Sequence, residues 1–196
     1  MPRNGLSADG VIEAATRLIE RSGTEGFSMR ALAQSLNVKA ASLYNHVADM
    51  DALLVGVCAY ALRLQCSVEL AAIEGKSGDD AILALAHACR RFAKEHRELY
   101  RLIMRTAARA ELPEAVSSCI VAPFSRVLAD TVLDETEKMH WQRILRGIIH
   151  GFVSQEDAGF FAHFPADVDE SFQTAVACYI TGLRQAEKRF LSCGQA

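Results

Sequence analysis

The chain has 196 residues, of which 51% are hydrophobic and four are proline, and its formal net charge is −3. This length and composition predict a globular protein with a full hydrophobic core. No segment has the unbroken apolar length of a membrane span, and residues 1–10 lack a signal-peptide core. We therefore expect a cytoplasmic protein that has no membrane partner.

The cysteines are scattered along the chain and none belongs to a C-x-x-C pair. Most lie in apolar helical patterns, where cysteine behaves as a small hydrophobic residue. We expect no disulfide framework, no zinc site and no cofactor, and thiol oxidation stays open as a regulatory alternative. The six are Cys58, Cys66, Cys89, Cys119, Cys178 and Cys193.

The first predicted helix begins after Ser7, a good N-cap residue, and ends at Gly23. Its apolar residues recur at helical spacing and predict one buried stripe, made of Val11, Ile12, Ala15, Leu18 and Ile19. Phe27 is expected to fill the core beneath it. Arg3 precedes this helix in a terminal arm, where it either reaches a phosphate group or stays solvated.

The stretch from Ser28 to Val47 reads SMRALAQSLNVKAASLYNHV and predicts two short helices. Leu32, Ala33 and Leu36 share a face of the first, while Leu43 and Val47 share a face of the second. Between them, Asn37 tolerates the left-handed backbone that a sharp turn requires. This spacing is that of a helix-turn-helix unit, whose second helix enters the major groove.

Steps of 100° per residue place Ala41 and Asn45 opposite the buried stripe of the second helix, with Ala40, Ser42 and Tyr44 flanking them. This face is small and polar, as a groove-binding face must be. Ala40 and Ala41 cannot form hydrogen bonds with a base edge, so the only base group that they suit is the thymine methyl group. Hydrogen bonds to the bases are therefore left to Asn45, Arg30 and Lys39.

The first quarter of the chain resembles the DNA-binding domain of the TetR family of transcriptional repressors. The residues that carry the resemblance are Ala33, Val38, Leu43, Tyr44, His46, Leu53 and Leu54. It implies a DNA-binding surface made of Ser28, Arg30, Lys39, Ala40, Ala41, Ser42, Tyr44, Asn45 and His46. For Arg30 the alternative is a solvated side chain, and for Tyr44 it is a place in the core.

Two features weaken DNA binding by a single copy. Residues 1–47 carry five basic and four acidic side chains, a net charge of +1, so the electrostatic term is small. The family usually has a lysine where this chain has Met50, next to Asp49, which is a good N-cap for the fourth helix. A dimer that presents two such surfaces would recover phosphate contacts.

The fourth helix is predicted from about Met50 to Ile73, and EGKSGD at Glu74–Asp79 is the clearest boundary signal. We therefore predict a DNA-binding domain over residues 1–50, a connecting helix over 50–73, and a ligand-binding and dimerisation domain over 74–196. Further helices are expected over Ala81–Ala88 and Glu98–Met104, after Pro113 with a kink at Pro123, over Asp134–Gly159, and over Asp167–Leu191. No alternating pattern predicts a strand, so the fold class is all-α.

In TetR-like proteins the last two long helices pair with those of a partner, and the resemblance implies the same here. Gly147 and Gly151 lie four residues apart and would admit a close helix, although packing within one chain explains that spacing as well. The other residues expected in the interface are Phe152, Phe172, Val176, Tyr179 and Leu183. The run around Trp141, His150 and Gly151 resembles TetR C-terminal domains recognised by tryptophan, histidine and glycine.

An apolar interior with a few polar groups is what a small-molecule site requires. The candidate ligand-binding residues are His87, Phe92, Tyr100, Met104, Trp141 and His150, and the alternative is that all of them are core. Buried imidazoles need partners, which favours a polar contact inside a cavity. No third ligand accompanies the two histidines at metal-binding spacing, so no metal site is expected.

The sequence thus predicts a homodimeric, ligand-responsive repressor of a pseudo-palindromic operator, which a small and largely apolar ligand releases from DNA. Control by a protein partner or by thiol oxidation is the alternative. No G-x-S-x-G, P-loop, H-E-x-x-H or dinucleotide motif is present, so we do not expect an enzyme that uses the C-terminal pocket.

Overall fold

A computed structural model describes residues 6–163 and 165–193, so Arg3 lies outside the described residues. Every regular element within these residues is a helix, as the all-α prediction requires. The α-helices are α1 Ala8–Ser22, α2 Met29–Ser35, α3 Ala40–Leu43, α4 Met50–Ile73, α5 Gly78–Glu95, α6 Arg97–Thr106, α7 Glu114–Leu128, α8 Glu135–Asp157 and α9 Val168–Cys193, with a 3-10 helix Phe160–His163 between the last two.

Four helix starts follow from local capping signals. Ser7 Oγ accepts a hydrogen bond from Gly10 N at 3.1 Å, Ser28 Oγ accepts one from Ala31 N at 3.1 Å, and Asp49 Oδ1 accepts one from Ala52 N at 2.7 Å. Asp134 caps α8 in the same way. Each side chain satisfies a backbone donor that has no partner inside its helix, and this confirms four predicted helix starts.

The chain divides into two compact units that do not follow chain order. The N-terminal unit extends to Gln65 and takes up residues 95–120, and the C-terminal unit holds residues 66–94 and the chain from Val121 on. Both α4 and α7 run from one unit into the other. The predicted division at residues 50 and 74 stays a prediction about function, and α6 packs against α1 within the N-terminal unit.

The core of the N-terminal unit is built from the predicted stripes. Val11, Ala15, Ile19, Leu32 and Leu43 are fully buried. Phe27, expected inside this core, is only half-buried, whereas Met29 is buried. One face of each short helix is thus fixed against a common interior.

The C-terminal unit contains the long helices α8 and α9, of 23 and 26 residues. α5 buries residues on several sides, as its apolar sequence predicts. Pro113 stands directly before the first residue of α7, and Pro123 lies inside that helix. In α8, Leu145, Ile149 and Val153 are buried, whereas Ile144 is 46% exposed.

Among the described helices, α4 has the length and composition of a membrane span, contrary to the expectation from sequence. It carries Arg63 and Glu69, and 44% of its most apolar window is buried within the protein. A core helix that connects two units has the same composition, so this one segment is weak evidence for a membrane location.

Candidate functional site

The turn between α2 and α3 has the geometry that its sequence predicts. Asn37 has a φ of 54°, in the left-handed region. The Val38 N–H donates to Ala33 O at 3.0 Å, and the Asn37 N–H donates to Gln34 O at 3.1 Å. This pair of bonds is a Schellman motif, which satisfies two carbonyl groups at the end of α2 and redirects the chain into α3.

The second helix of the motif is shorter than predicted. α3 ends at Leu43, and Tyr44, Asn45 and His46 form a turn that continues it. Val47, expected on the buried stripe of this helix, lies beyond it and is only half-buried, so that part of the prediction was wrong. A single apolar anchor, Leu43, therefore sets the rotation of α3.

The residues predicted for the DNA-binding surface differ in their exposure. Ser42 and His46 are half-buried, and Ser28 uses its hydroxyl oxygen to cap α2. Tyr44 is 53% exposed, which places it on the surface and not in the core. The remaining candidates are exposed: Arg30, Lys39, Ala40, Ala41 and Asn45.

The two cations of this surface are available to an external anion. Arg30 and Lys39 form no ion pair with any residue that the structure describes. Asp49, the acidic residue nearest to the motif, uses its carboxylate to cap α4. A positively charged, hydrogen-bonding surface with an exposed phenol suits a phosphate backbone.

Contacts between α1 and α6 were not predicted from the sequence. His96 Nδ1 lies 2.6 Å from Glu20 Oε1, and Arg105 Nη2 donates to Thr24 Oγ1 at 2.6 Å. These partners are 76 and 81 residues apart, beyond any local pattern. The end of α1 is thereby held by both ends of α6 within the N-terminal unit.

In the C-terminal unit, Arg90 is the centre of a charged cluster. Its guanidinium donates to both oxygens of Glu156 at 2.9 Å and lies 2.7 Å from Asp169 Oδ1. It also lies 4.8 Å from the ring centroid of Phe172 and 5.4 Å from that of Phe152. The two carboxylates and two rings stabilise a cation that is only 6% exposed.

This cluster sets the electrostatic environment of His87. The imidazole packs edge-on against Phe172, with ring centroids 5.5 Å apart. Burial, followed by the charge of Arg90, lowers the pKa of His87 below its ordinary value. The neutral imidazole is therefore favoured next to the arginine.

A second buried polar contact joins α4 to α5. Glu69 is 2% exposed, and its Oε1 lies 3.1 Å from Cys89 Sγ, which donates the hydrogen bond. Burial and the adjacent carboxylate raise the pKa of the Cys89 thiol well above its usual value. Cys58 and Cys66 are also buried, whereas Cys178 is exposed.

The six candidate ligand-binding residues do not share one kind of environment. Phe92 is buried, and His87, Trp141 and His150 are half-buried in the C-terminal unit. Tyr100 and Met104 belong to α6 and the N-terminal unit. Met104 is 45% exposed, so its prediction as part of an apolar interior was wrong.

Trp141 has the clearest polar partner of this set. The Tyr179 hydroxyl donates to Trp141 O at 3.1 Å, and the two rings pack edge-on with centroids 5.4 Å apart. Trp141 also lies against Gly182, where an added Cβ would come within 3.2 Å of the indole. These contacts hold the indole of Trp141, a residue of α8, against α9. Within the described residues, no three histidine, cysteine or acidic side chains are grouped as a metal site.

The predicted interface residues of α9 are inside the protomer. Phe172, Val176 and Leu183 are fully buried and Tyr179 is 3% exposed. They have no surface to offer a partner, so their assignment to a dimer interface was wrong. The hydrophobic pattern predicted correctly that these residues are buried, but it did not predict that their own protomer, and not a partner, buries them.

The outer faces of α8 and α9 are different. An added Cβ at Gly147 or Gly151 would meet nothing within 4 Å, and Ile144 beside them is exposed. The exposed side of α9 carries small residues at the same helical spacing, namely Thr174, Ala177, Cys178 and Thr181. Two adjacent helices therefore present a face on which another helix can approach closely.

Two family patterns match the chain. Residues 11–57 match "Bacterial regulatory proteins, tetR family", and residues 82–179 match "Tetracyclin repressor-like, C-terminal domain". The first match contains the helix-turn-helix, and the second extends from α5 into α9. The Trp-His-Gly subtype stays a prediction.

The matches to similar proteins cover nearly the whole chain. An HTH-type transcriptional regulator of Bacillus subtilis, YobS, is 28% identical over 183 residues, which is 93% of this chain and 95% of YobS. Apo ActR from Streptomyces coelicolor has a TM-score of 0.75 at 20% identity over 96% of this chain and 99% of ActR. ActR has also been solved in complex with (S)-DNPA, at a TM-score of 0.68 and 20% identity over 93% of this chain and 99% of that chain. A TetR variant from Acinetobacter baumannii, in complex with minocycline, has a TM-score of 0.72 at 20% identity over 93% of this chain and 99% of that chain.

Proposed function

Because the chain belongs to the TetR family of bacterial transcriptional regulators, we propose that it is a homodimeric repressor that a small, largely apolar effector releases from its operator. Membership of the family makes it a DNA-binding regulator and not an enzyme. Since its target is DNA, its place of action is the cytoplasm.

Two exposed cations of the helix-turn-helix, which form no ion pair with any described residue, are the observation that carries operator binding. Arg30 lies in the first turn of α2 and Lys39 directly precedes α3, and Tyr44, just after α3, is exposed. One copy contributes few positive charges, so two copies on half-sites roughly 34 Å apart would supply the required phosphate contacts. This accounts for DNA binding by a chain of net charge −3.

Footprinting upstream of the protein's own and adjacent genes tests the proposal. We expect a protected pseudo-palindrome, and the absence of any protected site would contradict it. Lys39→Ala should weaken binding to every sequence and reduce the slope of log Kobs against log[salt] by about one. Lys76→Ala, an exposed lysine outside the helix-turn-helix, is the matched control and should leave both quantities unchanged.

The homodimer is proposed to form through the exposed faces of α8 and α9. Gly147→Arg and Gly151→Arg have room within the protomer but would insert a charged side chain into this face. Analytical ultracentrifugation should find these variants monomeric, and circular dichroism should show that they are still helical. Ala166→Arg, an exposed residue before α9 with the same change in charge, is the control and should remain dimeric. A dimer that survives both glycine substitutions would contradict the proposed face.

The proposed effector is a small molecule, because ActR and the Acinetobacter TetR variant have been solved with (S)-DNPA and minocycline bound. The C-terminal unit offers half-buried His87, Trp141 and His150 among apolar residues. Effector binding would favour a state in which the two α3 helices no longer fit successive major grooves. Isothermal titration against an apolar compound library tests this, and an absence of heat from every compound would favour a protein partner instead.

A further inference from the structure

We infer that Ala40 and Ala41 contact the 5-methyl groups of thymine in the operator half-site. The inference rests on the proposed operator binding and adds the base that the protein selects. It concerns Ala41, which lies opposite the buried anchor Leu43, and Ala40, which is exposed at the first position of α3.

The structure fixes which side chains of α3 face outward. Leu43 is fully buried, and at 100° per residue Ala41 lies on the opposite side of the helix. Ala40 and Ala41 are both exposed, while Ser42 is half-buried. The Schellman turn at Asn37 holds the start of α3, so this rotation is not free to change.

The early end of α3 narrows the set of residues that can contact base edges. Recognition helices contact bases mainly through their first residues. Here those residues are Ala40 and Ala41, because Asn45 and His46 belong to the turn that follows Leu43. Lys39 precedes the helix and is placed for a phosphate or a neighbouring base.

The chemistry of an alanine methyl group then selects the base. It neither donates nor accepts a hydrogen bond, so contact with guanine, adenine or cytosine would remove water from their polar major-groove atoms without replacing it. Thymine alone presents a methyl group in the major groove. Methyl against methyl buries apolar surface on both sides and leaves no polar atom without a partner.

The test replaces single thymines in the footprinted half-site with deoxyuridine, which differs only by the missing 5-methyl group. With the wild-type protein we expect one or two positions at which this change weakens binding about fourfold each, since each removes about one buried methyl group. Fluorescence anisotropy at fixed salt measures the dissociation constants. Unchanged affinity at every thymine would overturn the inference and leave operator binding intact.

Protein variants connect the effect to the two alanines. Ala41→Gly should bind the thymine operator more weakly and lose the response to deoxyuridine at its own position. Ala41→Ser repeats the test with a residue of similar size, in case glycine disturbs the short helix. Lys39→Ala, in contrast, should weaken binding but keep the full deoxyuridine response.

Two outcomes would contradict different parts of the argument. A deoxyuridine response that persists in both Ala41 variants and in Ala40→Gly would overturn the assignment to these alanines. The absence of any sequence-specific binding would contradict the proposed function itself.

Discussion

Arg90 and Glu156 are 66 residues apart in the sequence and form a two-bond contact, with both hydrogen bonds 2.9 Å long. The contact joins α5 to α8, and Asp169 extends it to α9. Lys94 binds the same carboxylate at 2.9 Å. Three helices of the C-terminal unit are therefore connected through one buried guanidinium.

Removal of the charge of Glu156 should destabilise the protein because Arg90 would remain buried without its main partner. We expect Glu156→Gln to lower the free energy of unfolding by about 2 kcal/mol, below the usual cost of breaking a fully buried pair because Glu156 is partly exposed. Urea denaturation followed by circular dichroism measures this. Glu135→Gln, which breaks an exposed contact with Lys138, is the control and should change stability by less than about 0.5 kcal/mol.

The same pair predicts a pH dependence of stability. The hydrogen bond from Arg90 and the nearby charges hold the pKa of Glu156 below its ordinary value of 4.5. A depressed folded-state pKa means that the stabilisation is fully present above the unfolded-state pKa and is lost as the pH falls through the folded-state value. Wild-type stability should therefore decline more steeply than that of Glu156→Gln as the pH falls below 4.5. Parallel pH profiles for the two proteins would refute this.

Replacement of Gly23 by any residue with a side chain should destabilise the protein. Its φ of 71° and ψ of 170° lie in a region that only glycine adopts readily, and an added Cβ would come within 3.3 Å of the Glu98 carboxylate. We expect Gly23→Ala and Gly23→Asn each to cost about 2 kcal/mol. Asn37→Gly, in the left-handed region, should stay within about 0.5 kcal/mol of wild type. Equal costs at the two sites would contradict this distinction.

Gly56 should be energetically coupled to Ile12. A Cβ at Gly56 would lie 2.9 Å from Ile12 Cδ1, so Gly56→Ala overpacks the contact between α4 and α1. We expect a net loss of about 1 kcal/mol, with strain exceeding the gain in helix propensity. In Ile12→Val the missing methyl group makes room, so the double variant should be more stable than the sum of the two single changes predicts. Additive losses in thermal unfolding would show that the two side chains do not compete for space.

The two helices and the turn of the helix-turn-helix were predicted from the sequence, but the length of the second helix was not. The spacing of Leu32, Leu43 and Asn37 identified the two helices and the turn. It did not predict that α3 ends at Leu43, because a helix terminus depends on the competition between one more hydrogen bond and the packing of the next segment. The shorter helix changes the expected roles of Ala41 and Asn45.

By itself, the sequence determined the features whose causes are local. Four helix starts are capped by a side chain that accepts a hydrogen bond from the backbone N–H group three residues later; the residues are Ser7, Ser28, Asp49 and Asp134. Together with the 3.6-residue hydrophobic pattern, these caps were enough to predict the all-α fold and most helix limits. The tertiary structure alone decided which face of α9 is buried in the protomer, that α6 packs against α1, and that Arg90 meets Glu156. An apolar stripe or a charge specifies that a partner is needed, but the partner itself is set by residues far along the chain that only the folded protein brings within reach.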